Sequence, residues 1–294
     1  MRNAFIDELI KAARVREDIV LIIGDLGYSV IEPFADEFPD RFFNAGIAEQ
    51  NMMGMAAGMA SEGMHVFTYS IGNFPTWRCA EQIRNDVDYH NLSVTNVVVG
   101  GGVAYGSLGY SHHAIQDYAL MRSLPNMLIA APGDPMETRA CMHYLLEHAG
   151  PSYLRLGKAG EANYHLSQPE ISPGRWLKVR KGSDKHVLLS TGFGLQIAMK
   201  LIHTDEYSDR TVYSMPLWSM EAKSIQASQI QPYKEIITIE DHLQDCGFGS
   251  WLLESIVNSN DDLMQKIKLM ALGQDVCSTF ADQQSLVKAF NRFT

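Results

Sequence analysis

The sequence has 294 residues, of which 46% are hydrophobic, and it carries a formal net charge of -10. That length accommodates two globular domains of ordinary size. The acidic balance argues against nucleic acid or an anionic membrane surface as a partner. We see no signal-peptide pattern and no apolar run near the ~20 residues that span a bilayer, so we expect a cytoplasmic protein. The four scattered cysteines form no CxxC pair, which favours free thiols over a disulfide framework.

Short apolar runs alternate with helical patterns through the first half of the chain. Strands are predicted near 19–23, 65–69, 94–99, 127–131 and 153–156, and helices at 3–14, 31–38, from Glu49 onward, and at 76–90, 114–123 and 135–148. Asp134 lies in a turn between two prolines and is predicted to cap the helix that follows. This alternation indicates a mostly parallel sheet that is covered by helices on both faces.

The composition changes at residues 158–185, which are polar and contain Pro169, Pro173 and Gly174. We interpret this stretch as a linker or surface excursion between domains. A second α/β unit follows, with strands near 186–190, 211–215, 235–240 and 267–271 and helices near 194–203, 249–258 and 280–290. The predicted fold class is therefore α/β, with two consecutive domains at 1–157 and 186–294 whose mostly parallel sheets are flanked by helices.

One stretch, FFNAGIAEQNMMGMAAGM at residues 42–59, combines a carboxylate with an almost uncharged helix. Glu49 falls in the first turn, where free N–H groups favour negative charge, so an ordinary first-turn acid is the default interpretation. The almost uncharged run that follows marks Glu49 as a functional candidate instead. Gly54 and Gly58 lie on one helix face. Each glycine costs roughly 1 kcal/mol relative to Ala in a helix interior, so close packing of another backbone on this face is the expected compensation.

Further motifs follow the predicted strands. Asp25-Leu26 comes after the first strand, and Tyr69 to Phe74 precedes the run Arg78-x-x-Glu81-Gln82. A glycine-rich loop then leads to Gly-Ser-Leu-Gly-Tyr-Ser-His-His at 106–113, and Ala-Leu-Met-Arg-Ser-Leu-Pro-Asn-Met follows at 119–127. The adjacent histidines do not predict a metal site in this chain, because neighbouring residues rarely bind one ion and no further ligand cluster stands nearby.

GIAEQN followed by a small-residue helix resembles the pyrimidine-binding domain of the transketolase family of thiamine diphosphate enzymes. The other motifs extend the resemblance over nearly the whole chain, which is similar to the C-terminal half of a transketolase split into two polypeptides. The resemblance implies a pyrimidine-binding domain over 1–157 and a transketolase C-terminal domain over 186–294. No catalytic residue is assigned to the second domain.

The resemblance implies roles for individual residues of the first domain. Glu49 matches the glutamate that hydrogen-bonds a pyrimidine ring nitrogen, and His112 matches the active-site histidine that acts at substrate oxygens. Ile71 stands where the family often has a phenylalanine, and Trp77 is the candidate for the missing aromatic surface. The expected cofactor-binding residues are Asp25 on the thiazolium side, Glu49, Ile71, Phe74 against the aminopyrimidine ring, and Trp77.

The substrate implied by the resemblance is a ketose that gives a two-carbon ketol unit to an aldose, and it is expected to be a non-standard or modified sugar. No histidine stands at 99–102, where phosphosugar transketolases carry one that contacts phosphate, and Leu108 replaces an Asp that contacts a hydroxyl. His113 could instead take over the phosphate if the loop is shifted. The expected substrate-binding residues are Ser29, Leu108, His112, His113 and Arg155, of which Ser29 and Arg155 match the phosphate side and leave an anionic group possible.

The diphosphate motif of the family, GDG followed by a distant Asn, is absent from this sequence. We therefore expect a second subunit, carrying the N-terminal diphosphate-binding domain, to supply most of the contacts to Mg²⁺ and the diphosphate. The family resemblance further implies a homodimer of this chain within a two-plus-two complex. Two alternatives stay open: a thiamine enzyme of another class, such as the beta subunit of a 2-oxoacid dehydrogenase or a carboligase, and a non-catalytic scaffold subunit. The His112 loop and the run from Arg122 to Met127 favour transketolase.

Overall fold

A computed structural model describes residues 1–158, 160–258 and 261–293 of the chain. Its first sheet contains six parallel strands, which are β1 (Ile19–Ile23), β2 (Phe42–Asn44), β3 (His65–Ile71), β4 (Val94–Val99), β5 (Leu128–Ala130) and β6 (Ser152–Leu156). A seventh strand from the second half of the chain, β10 (Leu217–Trp218), lies antiparallel at one edge, and the strand order is β10-β5-β6-β4-β3-β1-β2. All five strands predicted for this half of the chain are present, and β2 is an addition.

The helices of the first half are α1 (Arg2–Val15), α2 (Glu32–Glu37), α3 (Glu49–Ser61), α4 (Asn73–Arg78), α5 (Ala80–Gln82), α6 (Asp117–Met121) and α7 (Pro135–Glu147). The single helix predicted over 76–90 is instead three pieces, α4, α5 and a π-helical turn over Ile83–Asp88. The break falls at Cys79, whose φ of -108° and ψ of 13° leave the helical region. The carboxylate of Asp134 accepts a hydrogen bond from the Glu137 N–H, which confirms the predicted cap of α7.

The side chains of β1 show how the first sheet is covered on both faces. Val20 and Ile22 pack into the hydrophobic cluster that includes α3, whereas Ile19, Leu21 and Ile23 pack into the cluster that includes α1 and α7. All five are buried, as expected for a strand in the middle of a parallel sheet with helices on both sides. The predicted α/β class with two mostly parallel sheets is confirmed.

The second half of the chain begins with β7 (Leu177–Arg180), β8 (His186–Ser190), β9 (Thr211–Ser214) and β10 (Leu217–Trp218), followed by β11 (Glu235–Leu243), β12 (Ile267–Leu272) and β13 (Asn291–Phe293). The second sheet has the order β13-β12-β11-β8-β9-β7, and only its two edge strands, β7 and β13, are antiparallel to their neighbours. Its helices are α8 (Gly194–Leu201), α9 (Gln226–Ile230), α10 (Phe248–Glu254), α11 (Asp261–Met264) and α12 (Gln283–Phe290).

Two short strands lie where the sequence did not predict them, and one of them ties the halves together. β7 lies inside the stretch interpreted as a linker, 158–185, and pairs with β9 of the second sheet. β10 follows β9 in the chain but crosses to the first sheet, where it pairs antiparallel with β5 through Leu217 opposite Ala130 and Trp218 opposite Ile129. Both strands lie at sheet edges, where a segment needs backbone hydrogen bonds on one side only.

Arg155 on β6 forms a buried ionic link between the two halves. Its Nε donates to Asp117 Oδ2 at 2.7 Å and its Nη1 donates to Asp241 Oδ1 at 2.7 Å, while Nη2 donates to the Ala114 carbonyl at 2.8 Å. The hydroxyl of Tyr153 donates to the same Asp117 oxygen at 2.8 Å. Because Asp241 belongs to β11 and Asp117 to α6, this cluster joins the second sheet to the loop region of the first.

Candidate active site

Glu49 is the first residue of α3, and only 3% of its surface is exposed. The Nη1 atom of Arg78, at the end of α4, donates to both oxygens of the Glu49 carboxylate at 2.8 Å. The Arg78 side chain itself is 49% exposed, so the buried carboxylate is paired with a cation that reaches the surface. A buried carboxylate without such a partner would be costly.

Phe74 and His112 lie beside this ion pair. Phe74 precedes Arg78 by one helical turn, and the guanidinium carbon of Arg78 is 4.5 Å from the centre of the Phe74 ring. The imidazole of His112 meets the Phe74 ring edge-on, with 5.2 Å between the ring centres. The structure therefore brings three of the predicted site residues, Glu49, Phe74 and His112, into one continuous cluster. The member that sequence reasoning missed is Arg78, and the available signal was its four-residue spacing from Phe74 on one helix face.

His112 is held by a loop with a specific backbone course. The loop leaves β4 through Gly100 and Gly102, both at positive φ, and an added Cβ at Gly102 would collide with the Asp241 carboxylate. Only glycine fits such a close approach at that φ. The hydroxyl oxygen of Ser111 is 3.0 Å from His112 Nδ1, and Asn73 Nδ2 donates to the Ser111 carbonyl at 2.9 Å. These contacts fasten the loop to the start of α4.

A cavity of about 360 Å³ lies beside the cluster, between α4 and the loop. Its lining residues are Asn73, Trp77, Tyr110, Ser111 and Gln116, and all five side chains are uncharged. Trp77 is 49% exposed and Tyr110 is 48% exposed. Because Asn73 and Trp77 stand one position before Phe74 and Arg78, the cavity faces the neighbouring side of the same helix.

Asp25, Ser29 and Ile71 lie at the carboxyl ends of the first strands. Asp25 has a φ of 53° and accepts a hydrogen bond at 3.0 Å from Asn44, the last residue of β2. Ser29 has a φ of 66°, and its N–H donates to the Glu32 carboxylate at 2.7 Å. Ile71 ends β3 and is partly buried. The carboxyl ends of parallel strands meet at one edge of a sheet, so these residues share the edge from which α3 and α4 begin.

The other three predicted substrate residues lie in different surroundings. Leu108 is 56% exposed on a 3-10 turn of the loop, whereas His113 is buried and places Nε2 3.3 Å from the Gly106 carbonyl. Burial lowers the pKa of His113, which disfavours the charged form that would attract phosphate. Arg155 is buried, and its Nε, Nη1 and Nη2 atoms are all engaged by Asp117, Asp241 and Ala114. This placement leaves the prediction that Arg155 grips an anionic substrate group without support.

Within residues 1–158, 160–258 and 261–293, we find no group of three or more His, Cys, Asp or Glu side chains that could hold a metal ion. Over the same ranges, none of the helices combines the length and apolar character needed to cross a bilayer.

Comparison with known proteins assigns the family. Residues 1–160 match the family described as "Transketolase, pyrimidine binding domain". A protein of Methanocaldococcus jannaschii named "Putative transketolase C-terminal section" is 32% identical over 99% of this chain and 91% of its own length. A protein of Actinobacillus succinogenes, named as one subunit of an apulose-4-phosphate transketolase, is 32% identical over 93% of this chain and 88% of its own length.

Among solved structures, one described as "Split gene transketolase, inactive beta4 tetramer" superposes with a TM-score of 0.84 and 29% identity. The match covers 99% of this chain and 93% of that chain. The chain belongs to the transketolase family and contains its pyrimidine-binding domain. The family resemblance inferred from the GIAEQN motif is thereby confirmed.

Proposed function

We propose that this chain is the pyrimidine-side subunit of a two-chain transketolase, which moves a two-carbon ketol unit from a ketose to an aldose. The observation that carries the proposal is the cluster of Glu49, Phe74 and His112: a buried carboxylate, an aromatic ring and an imidazole at the carboxyl edge of the first sheet. Each residue type has a part in carbanion chemistry on an aminopyrimidine-containing cofactor.

The residues present fit an aminopyrimidine ring. The fit is indicated by Arg78, whose flat guanidinium stacks on Phe74 and donates N–H groups to Glu49. A protonated or amino-substituted pyrimidine is likewise flat and carries N–H donors, so it can make the same two kinds of contact. Glu49 and Phe74 would hold that ring, with Ile71 and Trp77 as further walls and Asp25 on the thiazolium side. When bound, thiamine diphosphate supplies a carbanion and stores electrons from the cleaved carbon–carbon bond.

The residues of this chain would then act on protons and on orientation. Glu49 would hold a proton at the pyrimidine ring nitrogen, which a carboxyl group buried at the start of α3 can do without competition from bulk water. His112 would donate to or accept from a substrate oxygen, and the contact with Ser111 at its Nδ1 orients the ring. Phe74, itself held edge-on by His112, would fix the plane of the pyrimidine ring.

A partner subunit would supply the diphosphate domain and the ligands of Mg²⁺. Relatives that align over nearly their full length are named as a C-terminal section and as one subunit of a transketolase, and a similar solved structure is described as an inactive β4 tetramer. These names support an active form that contains a second kind of chain. The Mg²⁺ ion would stabilise the diphosphate through hard oxygen ligands, and the partner subunit would supply most of them.

The substrate would be a non-standard or modified sugar. A relative at 32% identity is named for apulose 4-phosphate, which supports a sugar outside the usual pentose and heptose phosphates. The cavity beside His112 is lined by uncharged side chains, with Trp77 and Tyr110 as aromatic surfaces and Asn73 and Gln116 as amides. Such a surface suits the apolar face and the hydroxyl groups of a sugar better than it suits a phosphate.

The test is reconstitution of the chain with a candidate diphosphate-domain subunit, followed by comparison of wild type with Glu49→Gln. We expect no transferase activity from this chain alone, turnover by the complex, and a loss of roughly 10²–10⁴-fold in Glu49→Gln, because Gln cannot relay a proton. Glu62→Gln is the matched control, since Glu62 is exposed at the other end of α3. Robust turnover by the isolated chain, or Glu49→Gln activity within a few-fold of wild type, would refute the proposal.

A further inference from the structure

Arg78 makes, within one side chain, the two contacts that the proposed function assigns to the cofactor ring. Its Nη1 donates to both Glu49 oxygens at 2.8 Å, and its guanidinium carbon is 4.5 Å from the centre of the Phe74 ring. The carboxylate and the aromatic face are thus both in use in this structure. A pyrimidine ring that needs the same oxygen and the same face must compete with the guanidinium for them.

Charge explains why the competitor is an arginine. Glu49 is buried, and a buried carboxylate with no partner pays the full cost of its lost hydration. Arg78 offsets this cost in the chain without cofactor, and its planar group can stack on an aromatic ring as it does so.

Geometry permits Arg78 to leave. Its side chain is 49% exposed and stands at the C-terminal end of α4, and its hydrogen bonds within the described part of the chain go to Glu49. Rotation of the side chain toward solvent would open the carboxylate and the ring without moving the helix. By contrast, Phe74 is also held by its contact with His112 and stays in place.

We propose that Arg78 is a built-in competitor for the pyrimidine subsite: it covers Glu49 and Phe74 in the free chain, and the pyrimidine ring binds only when it moves away. This inference rests on the proposed function. The apparent affinity for the ring is then the intrinsic affinity multiplied by the fraction of molecules in which Arg78 is displaced. Removing the competitor raises that fraction toward one.

The experiment measures binding by the isolated chain, with no activity assay. Titration calorimetry is carried out with thiamine and with its neutral hydroxymethyl aminopyrimidine half, on wild type and on Arg78→Met, which keeps an apolar stem and removes the guanidinium. We expect Arg78→Met to bind both probes at least about tenfold more tightly, since charged hydrogen bonds that must be broken in wild type are absent. Arg84→Met is the matched control, because it changes the net charge equally and Arg84 is exposed and bonded to Asn85.

Each outcome decides the inference. Tighter binding by Arg78→Met, with Arg84→Met like wild type, supports it. Equal or weaker binding by a folded Arg78→Met overturns it, because Arg78 is then neutral or a cofactor contact. If Arg78→Met does not fold, Arg78→Gln decides by the same criterion.

The same experiment separates failure of this inference from failure of the proposed function. Equal binding by wild type and both variants overturns the inference about Arg78 but says nothing against transferase activity in the reconstituted complex. If no protein binds either probe, the inference also fails, and turnover by the complex with its partner judges the proposed function separately.

Discussion

Replacing Arg155 by methionine tests whether this residue joins the two halves of the chain or contacts the substrate. The change keeps an unbranched apolar stem but removes the guanidinium, so Asp117, Asp241 and the Ala114 carbonyl lose the donors that now lie 2.7–2.8 Å away. All of these groups are buried, so water cannot replace the lost donors without opening the contact between the halves.

The expected cost follows from that burial. Breaking a buried ion pair by removing one partner costs about 3–5 kcal/mol, because an uncompensated charge stays behind. Here one arginine serves two carboxylates, so we expect the upper part of that range. This is a large share of the roughly 5–15 kcal/mol that stabilises a typical domain. Adding Asp117→Asn and Asp241→Asn to Arg155→Met should recover part of the loss, since it removes the unpaired charges.

The assay is urea unfolding followed by circular dichroism, with Arg14→Met as the control. Arg14 pairs with Glu37 at the surface, and we expect its loss to leave the unfolding midpoint within error of wild type. A loss below about 1 kcal/mol for Arg155→Met would refute the structural role. Arg155→Lys in the reconstituted enzyme tests the alternative. If its stability is unchanged and its KM rises for phosphorylated sugars but not for others, the prediction of a substrate contact would be restored.

Three further outcomes are expected. Gly58→Leu should lower the mass seen in light scattering without lowering stability. Within the described part of the chain, an added Cβ at Gly58 meets no atom within 4 Å, so a bulky residue would obstruct only a second copy packed on that face, at roughly 1–3 kcal/mol. An unchanged mass would count against the expected homodimer. In a donor and acceptor screen, the complex should prefer modified sugars, and turnover of xylulose 5-phosphate with ribose 5-phosphate near ~10 per second would contradict that. Burial lowers the pKa of His65 to about 4. Between about pH 6.5 and pH 4 the unfolded state therefore binds more protons than the folded state, and the free energy of unfolding should fall by roughly 3 kcal/mol as the pH falls through that window. His65→Phe, which can keep the stacking on Phe67, should flatten this decline in urea titrations at several pH values, and an equally steep decline would remove His65 as its cause.

The sequence predicts the regular strands well because each is a short apolar run between turns. Val94–Val99 is buried at every position and stands out without any tertiary information. β7 and β10 escape prediction for the opposite reason. Leu177–Arg180 is only partly buried, and Leu217–Trp218 has two residues, so neither produces a periodic pattern, and each becomes a strand only through pairing with a distant edge.

The candidate site shows the same division. Glu49 could be singled out from its place in an uncharged helix, and the roles of Phe74 and His112 came from the family resemblance. The pairing of Arg78 with Glu49 depends on how α4 is set against α3, which no local pattern encodes. Arg155 shows the opposite situation: its position in the motif was visible, but its burial and its two carboxylate partners, 38 and 86 positions away, were not.

The crossing of β10 also constrains the order in which the first sheet can be completed during folding. The last parallel strand of the first sheet, β6, ends at Leu156, whereas the residues that close the edge at β5 are Leu217 and Trp218. During synthesis on the ribosome, the first sheet therefore emerges with an open edge at β5 and waits for a segment that is translated after β7, β8 and β9. Open edges invite pairing with other chains. Nascent chains that pause before Trp218 should thus be the species most in need of a chaperone.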